Sequence, residues 1–234
     1  AALLRSRREL MASVSHELRT PVATIQGYLQ NTREQWEGAP EDLREDLAVI
    51  EEEVGRLGRL IDDLFTLSQA EVGQLALEIV PTDVGRAVQR VVGTLAPLAW
   101  QRGRVEVVAE VQPDLPQALA DPARLAQVLV NLVRNAVRHT PPGGIVAAVP
   151  VQEGDWIRIE VRDTGQGIPA EELPHIWERF YRGERAREEE SDGAGLGLAL
   201  VKEMVEAMGG TVSAESTAGE GSAFTIRLPG VTGV

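Results

Sequence analysis

The chain has 234 residues, enough for one or two domains, and 43% hydrophobic residues, enough for a real core. Its formal net charge of −13 speaks against a nucleic-acid partner, whose phosphates need a basic face. With no cysteine and three widely spaced histidines, disulfides, thiolate metal sites and a zinc cage are excluded. No apolar run reaches the ~20 residues that span a bilayer and no signal peptide is legible, so the expectation is a cytoplasmic piece. The chain starts within a helical pattern, with neither an initiator Met nor an N-cap, and reads as the C-terminal part of a longer protein.

Residues 1 to about 71 predict two long helices. In the second, Leu43, Leu47, Ile50, Val54, Leu57, Ile61 and Leu64 recur in alternating steps of four and three, a heptad seam. Met11, Val14, Leu18, Pro21, Ile25 and Tyr28 keep the same rhythm in the first. Glu37-Gly38-Ala39-Pro40 stops one helix and starts the next. An αα-hairpin with such a seam buries its apolar face by pairing, so a four-helix bundle dimer is expected, with a plain coiled-coil spacer as the alternative. On this wheel His16, next to Glu17, faces away from the seam, and Pro21 kinks the helix about one turn later.

From about residue 72 the periodicity changes to strands alternating with helices. A strand is predicted over 75–80, closed by Pro81, then a helix over 83–101 and a strand over 105–111. Asp121-Pro122 opens a helix running to about His139. Strands follow over 145–151 and 156–162, short helical pieces over 171–180, a helix over 196–208 and a final hairpin of 211–215 with 223–228. The charged, Gly-bounded stretch 183–195 reads as a loop. The predicted divisions are 1–71, a linker and first strand over 72–80, and an α/β sandwich over 81–234.

Three constellations in this second half carry chemistry. Asn131 and Asn135, four apart, share a helix face with Arg138. Amide oxygens are hard ligands suited to Mg²⁺ and an arginine pairs with phosphate, although two such Asn also fit a plain surface. Asp163-Thr164-Gly165-Gln166-Gly167 ends a strand, where a carboxylate can accept from an exocyclic amine and the glycines admit a ring; a simple turn is the alternative. Gly193-Ala194-Gly195-Leu196-Gly197-Leu198 opens a helix whose amides can cradle phosphate. It is not a Rossmann fingerprint, because no strand precedes it and the third glycine is misplaced, nor a Walker A loop, because no Gly-Lys-Ser/Thr follows.

Taken in order, these motifs resemble those of bacterial two-component sensor histidine kinases. Ser15-His16-Glu17-Leu18-Arg19-Thr20-Pro21 resembles the H box, and Asn131 to His139 the N box. Asp163 to Gly167 resembles the first glycine box, Ile176 to Arg182 the F box, and Gly193 to Leu198 the second glycine box. The resemblance implies a dimerisation and phosphoacceptor hairpin followed by an α/β sandwich of Bergerat type. It implies His16 as phosphoacceptor, Glu17 as its base and Thr20 as a residue placing water for dephosphorylation of a partner regulator. It further implies ATP and Mg²⁺ as cofactors: Asn135 on the metal with Asn131 nearby, Asp163 on the adenine amine, Arg138 and Arg182 on phosphate. Gly165, Gly167, Tyr181, Gly193, Gly195, Leu196, Gly197 and Leu198 complete the implied ATP site, with 183–195 as its lid. The implied partners are a second copy and a response regulator, with a membrane-anchored sensor upstream. Arg138 departs from the family's usual Lys at that position, and Asn131 stands where hydrolysing relatives carry a Glu that activates water, which favours transfer over hydrolysis.

Overall fold

The computed structural model describes residues 22–30, 41–71, 75–183 and 194–231. The chain divides into two compact units, Ala1–Gln74 and Leu75–Val234.

In the first unit, residues 22–30 are helical and helix α1 spans Glu41–Glu71. Val22, Ile61 and Leu67 are buried, and Gly58 admits the Val22 side chain, since a Cβ there would lie 3.4 Å from Val22 Cγ1. Other apolar positions of the two heptad patterns stay open within one chain: Ile25, Tyr28, Ile50 and Leu57 are all exposed.

The second unit contains β1 (Val80–Thr82), α2 (Val84–Gly103), β2 (Glu106–Ala109), β3 (Ala118–Ala120), α3 (Pro122–His139), β4 (Ile145–Glu153), β5 (Trp156–Asp163), α4 (Gly197–Ala207), β6 (Thr211–Thr217) and β7 (Gly221–Pro229). The main sheet has the order β2-β4-β5-β7-β6; β2 and β4 are parallel, and every other neighbour is antiparallel. Its burial alternates with the pleat. Ile157, Ile159 and Val161 of β5 and Phe224, Ile226 and Leu228 of β7 are buried, whereas Arg158, Glu160 and Arg162 point to the other side. The three helices cover the apolar face. α3 turns Leu125, Val128, Leu129, Leu132, Val133 and Ala136 inward, the i, i+3, i+4 stripe of an amphipathic helix, and α4 does the same with Leu200, Val201, Met204 and Val205. The open face carries ion pairs instead: Arg158 with Glu160 at 2.7 Å, Arg162 with Glu110 at 2.9 Å and Arg227 with Glu153 at 2.8 Å.

Two details depart from the sequence expectation. The first strand is not 75–80 closed by Pro81; it is Val80–Thr82, with Pro81 inside it, paired antiparallel to β3 in a separate two-stranded ribbon. Each strand has only three residues, too few for a period of two to be seen, and Pro is tolerated because such a ribbon is all edge. The stretch 171–180 forms successive turns rather than helix. Backbone bonds run three residues back, from Glu172 to Pro169, His175 to Glu172 and Glu178 to His175, and Pro174 supplies no donor to continue a helical ladder.

Pro150 lies within β4 where its ladder with β2 stops, the next bond being one a residue without an N–H cannot donate. The Ala148 carbonyl accepts from Glu110, so even-numbered residues of β4 face β2; β2 ends at Ala109, and Pro150 faces beyond it.

Candidate functional site

The pleat places Asp163 on the helix-facing side at the end of β5, where it is 9% exposed. Its Oδ1 accepts from Gly165 N–H at 2.8 Å and from Ser222 N–H, across the β5–β7 ladder, at 3.3 Å. Burial raises the carboxyl's pKa, and the two N–H bonds offset only part of that rise. The turn after Asp163 is fixed by the last hairpin. Gly219 N–H donates to Gln166 O at 2.7 Å, and Ile168 N–H to Ser216 Oγ at 2.7 Å. Gly167 has φ +67° and lies so close to the Thr217 carbonyl that no Cβ fits there.

The same turn is tied to the C-terminal end of α3. Gln166 N–H donates to the His139 carbonyl at 3.0 Å, and its side-chain amide meets His139 Nδ1 at 2.9 Å. Along α3, Arg138 is exposed, Asn135 half-buried and Asn131 further in. Asn131 Nδ2 is buried with no hydrogen-bond partner, a costly state for an amide unless a ligand completes it. A Cβ on Gly197 would lie 3.8 Å from Asn131 Oδ1, which puts the start of α4 beside this helix.

That helix start is open. Asp83 and Asp121 cap α2 and α3 through their side chains, but the N-cap of α4 is Leu196, which makes no side-chain cap bond, and the first turn holds no acidic residue. Leu196 itself is 4% exposed and anchors the turn in the core. Gly197 and Leu198 are half-exposed, and among the described residues no side-chain acceptor is recorded for the first N–H groups of α4 at its positive dipole end. Phe180 N–H donates to Gly195 O at 2.8 Å; Gly195, at φ +69°, abuts the backbone of Phe180 and Tyr181. Trp177 meets Phe224 edge-on at 6.1 Å, and Arg179 pairs with Glu203 of α4 at 3.2 Å, so the F-box segment is docked on both sheet and helix.

The structure therefore arranges these residues in two groups along α3: Asp163, Gly165 and Gly167, tied to its C-terminal end through His139, and Gly195, Gly197 and Leu198 at the start of α4 beside Asn131, with Asn135 on the same helix face and the half-exposed Tyr181 and Arg182 on the segment against which Gly195 seats. His16, Glu17, Thr20 and Gly193 lie outside the described residues. Sequence reasoning did not single out Ser216, Thr217 and Ser222, which hold the Asp163–Ile168 turn. The signal was present but weak: a Ser/Thr/Gly-rich hairpin turn over 216–222. Among the described residues no group of His, Asp or Glu is placed to hold a metal ion. The donors available are the amide oxygens of α3, and these fit Mg²⁺ shared with ligand phosphates rather than held in a protein cage.

This architecture, a mixed sheet with helices on one face and a polar site at the end of its central strand, defines a nucleotide-binding ATPase sandwich. Residues 120–232 match the family model of the histidine kinase-, DNA gyrase B- and HSP90-like ATPases, and residues 6–73 that of the His Kinase A phospho-acceptor domain. The circadian input-output histidine kinase CikA of Synechococcus elongatus is 37% identical over 228 residues, 96% of this chain and 30% of CikA. Full-length ShkA, solved in complex with AMPPNP, superposes with a TM-score of 0.80 at 30% identity over 97% of this chain and 46% of that one. The mycobacterial sensor histidine kinase MprB gives a TM-score of 0.55 at 30% identity, over 65% of this chain and 98% of that one. The chain belongs to the sensor histidine kinases. It spans less than half the length of the curated relatives it matches.

Proposed function

We propose that this chain is the catalytic core of a two-component kinase: it transfers the γ-phosphoryl group of ATP to His16 and passes it on to an aspartate of a response regulator. The observation that carries this reading is that α3 bears at its C-terminal end the turn of a pinned, buried Asp163 and, further back, the unpartnered amide of Asn131 beside the start of α4. Asp163 accepts from the adenine amino group through the carboxylate oxygen that Gly165 and Ser222 leave available. The α4 amides, with Arg138 and Arg182, receive phosphate oxygens. Asn135, with Asn131 beside it, would hold Mg²⁺, which when bound neutralises phosphate charge. Glu17 orients the His16 imidazole and takes its proton as the nitrogen attacks phosphorus, ADP being the leaving group. An Asn at position 131 cannot act as a base, so water is not activated and transfer prevails.

The exposed Ile25, Tyr28, Ile50 and Leu57 support a homodimer that covers them. Thr20 is the residue through which the same core would dephosphorylate its regulator, an activity abolished in Thr20→Ala with kinase activity kept. The relatives' greater length supports a sensor region, membrane-anchored in the full protein, beyond this chain; among the described residues no helix is long and apolar enough to cross a membrane. The central test is incubation with γ-labelled ATP and Mg²⁺. Label should appear on the wild type, be lost in acid, survive alkali and be absent from His16→Gln. Acid-stable label, or label on the variant, overturns the assignment. Nucleotide binding without any label would leave a binding scaffold.

A further inference from the structure

The F-box segment holds a side-chain arrangement that the nucleotide contacts above do not use. His175 stacks on Tyr181, with ring centroids 5.6 Å apart and planes 30° from parallel. Its Nδ1 is 2.7 Å from Glu178 Oε1, and the backbone between them is wound into turns by Glu178 N–H to His175 O at 2.9 Å and Tyr181 N–H to Glu178 O at 3.3 Å. The stack therefore closes a short ring, His175–Glu178–Tyr181. Within it lies strain: Phe180 has φ +61°, a left-handed conformation that an aromatic residue rarely adopts, and it is 58% exposed, so core packing does not hold it there. Two contacts do hold it, the Phe180 N–H bond to Gly195 O and the seat of Gly195 against the Tyr181 carbonyl. Gly195 lies two residues before Gly197, which faces Asn131.

We infer that His175 is a positioning residue for the nucleotide site: its ring, stacked on Tyr181, fixes the backbone on which Gly195 seats and so sets the start of α4 beside Asn131. This rests on the nucleotide reading of that site. His175 itself touches the site only through the Tyr181 ring. Any large planar side chain at position 175 supplies the stack, whereas the bond to Glu178 only orients the ring.

The experiment uses the whole chain with His175→Ala, His175→Phe and His175→Gln. Hydrogen exchange at the Phe180 amide is measured without nucleotide, with β5 amides as reference, and KM and kcat for ATP in autophosphorylation are measured separately. Loss of one aromatic pair should raise Phe180 exchange and the KM of His175→Ala by about three- to tenfold, with kcat within about twofold. His175→Phe should restore both and His175→Gln neither. Unchanged Phe180 exchange in His175→Ala overturns the proposal, as does rescue by Gln but not by Phe, which would assign the effect to the Glu178 bond. If the wild type proves to transfer no phosphate, the kinase reading fails, while the exchange measurement still decides whether His175 sets the Phe180–Gly195 seat.

Discussion

Asp121 and Asp163 sit in the same domain and are buried to nearly the same degree, 8% and 9% exposed, yet their carboxyls shift in opposite directions. Burial pushes both pKa values up. At Asp121 it is outweighed: Oδ1 accepts from Ala123 and Arg124 N–H, Oδ2 accepts from Glu78 N–H, and the Arg124 charge adds to them, so the pKa is lowered. Asp163 lies deeper among protein atoms despite its similar solvent exposure, and its two N–H bonds fall on a single oxygen, so burial prevails and the pKa is raised. The contrast extends to the helices beside them. The start of α3 is closed by its own aspartate, whereas the start of α4 has no side-chain cap. Where the chain satisfies its polar groups internally it is building structure; where it holds them in place half-satisfied, it is presenting them to a ligand.

Substitutions can break this contrast from either side, and the largest effect is expected at Asp163. Asp163→Asn keeps an oxygen for Gly165 and Ser222 but places an NH₂ against the adenine amine. ATP affinity measured by calorimetry should fall about 10- to 100-fold. The nucleotide-free variant should at the same time melt higher at neutral pH, because an ionised Asp163 is a burden on the fold. Its folded pKa exceeds the unfolded value of 3.8, so stability declines as pH rises from there through the raised value, and Asn removes that slope.

Closing the open helix comes next. Leu198→Glu puts a carboxylate in the first turn of α4, where it competes with phosphate for the same amides; affinity should fall about tenfold while the fold keeps its stability. On the structural side, Asp121→Ala should lower unfolding free energy by about 1–2 kcal/mol without altering the affinity of the folded protein. The Asp121 contribution is present above pH 3.8 and lost as pH falls through its lowered pKa, so the variant should show a flatter acid arm in its stability curve. The smallest effect belongs to Arg179→Ala. Its ion pair with Glu203 is partly exposed, and chemical denaturation should register less than about 1 kcal/mol.

The legible parts of this fold were those with a local cause. Asp121-Pro122 is cap and first turn together, and α3 runs from Pro122 to His139 as read from them. The hairpin of β4 and β5 follows from alternation on both sides of Gly154. The ribbon of β1 and β3 was not legible, since three-residue strands show too little period and their partners lie some forty residues apart, with the Thr82 hydroxyl bonding Ala120 O across the pair. At the site, the motif residues could be found by type and order, but their grouping could not. Ser222 meets Asp163 only through the β5–β7 register, and His139 meets Gln166 only after α3 lies across the sheet. Such contacts join residues 27 to 59 positions apart, where no spacing rule reaches.

Pro150 has a consequence for how this domain behaves in company. Past the end of β2, the ladder along that flank of β4 stops, and Pro150, itself buried, offers no donor to carry it on. Even beside a second copy, as in the dimer proposed above, the sheet cannot be lengthened at that point by backbone bonding from residue 150.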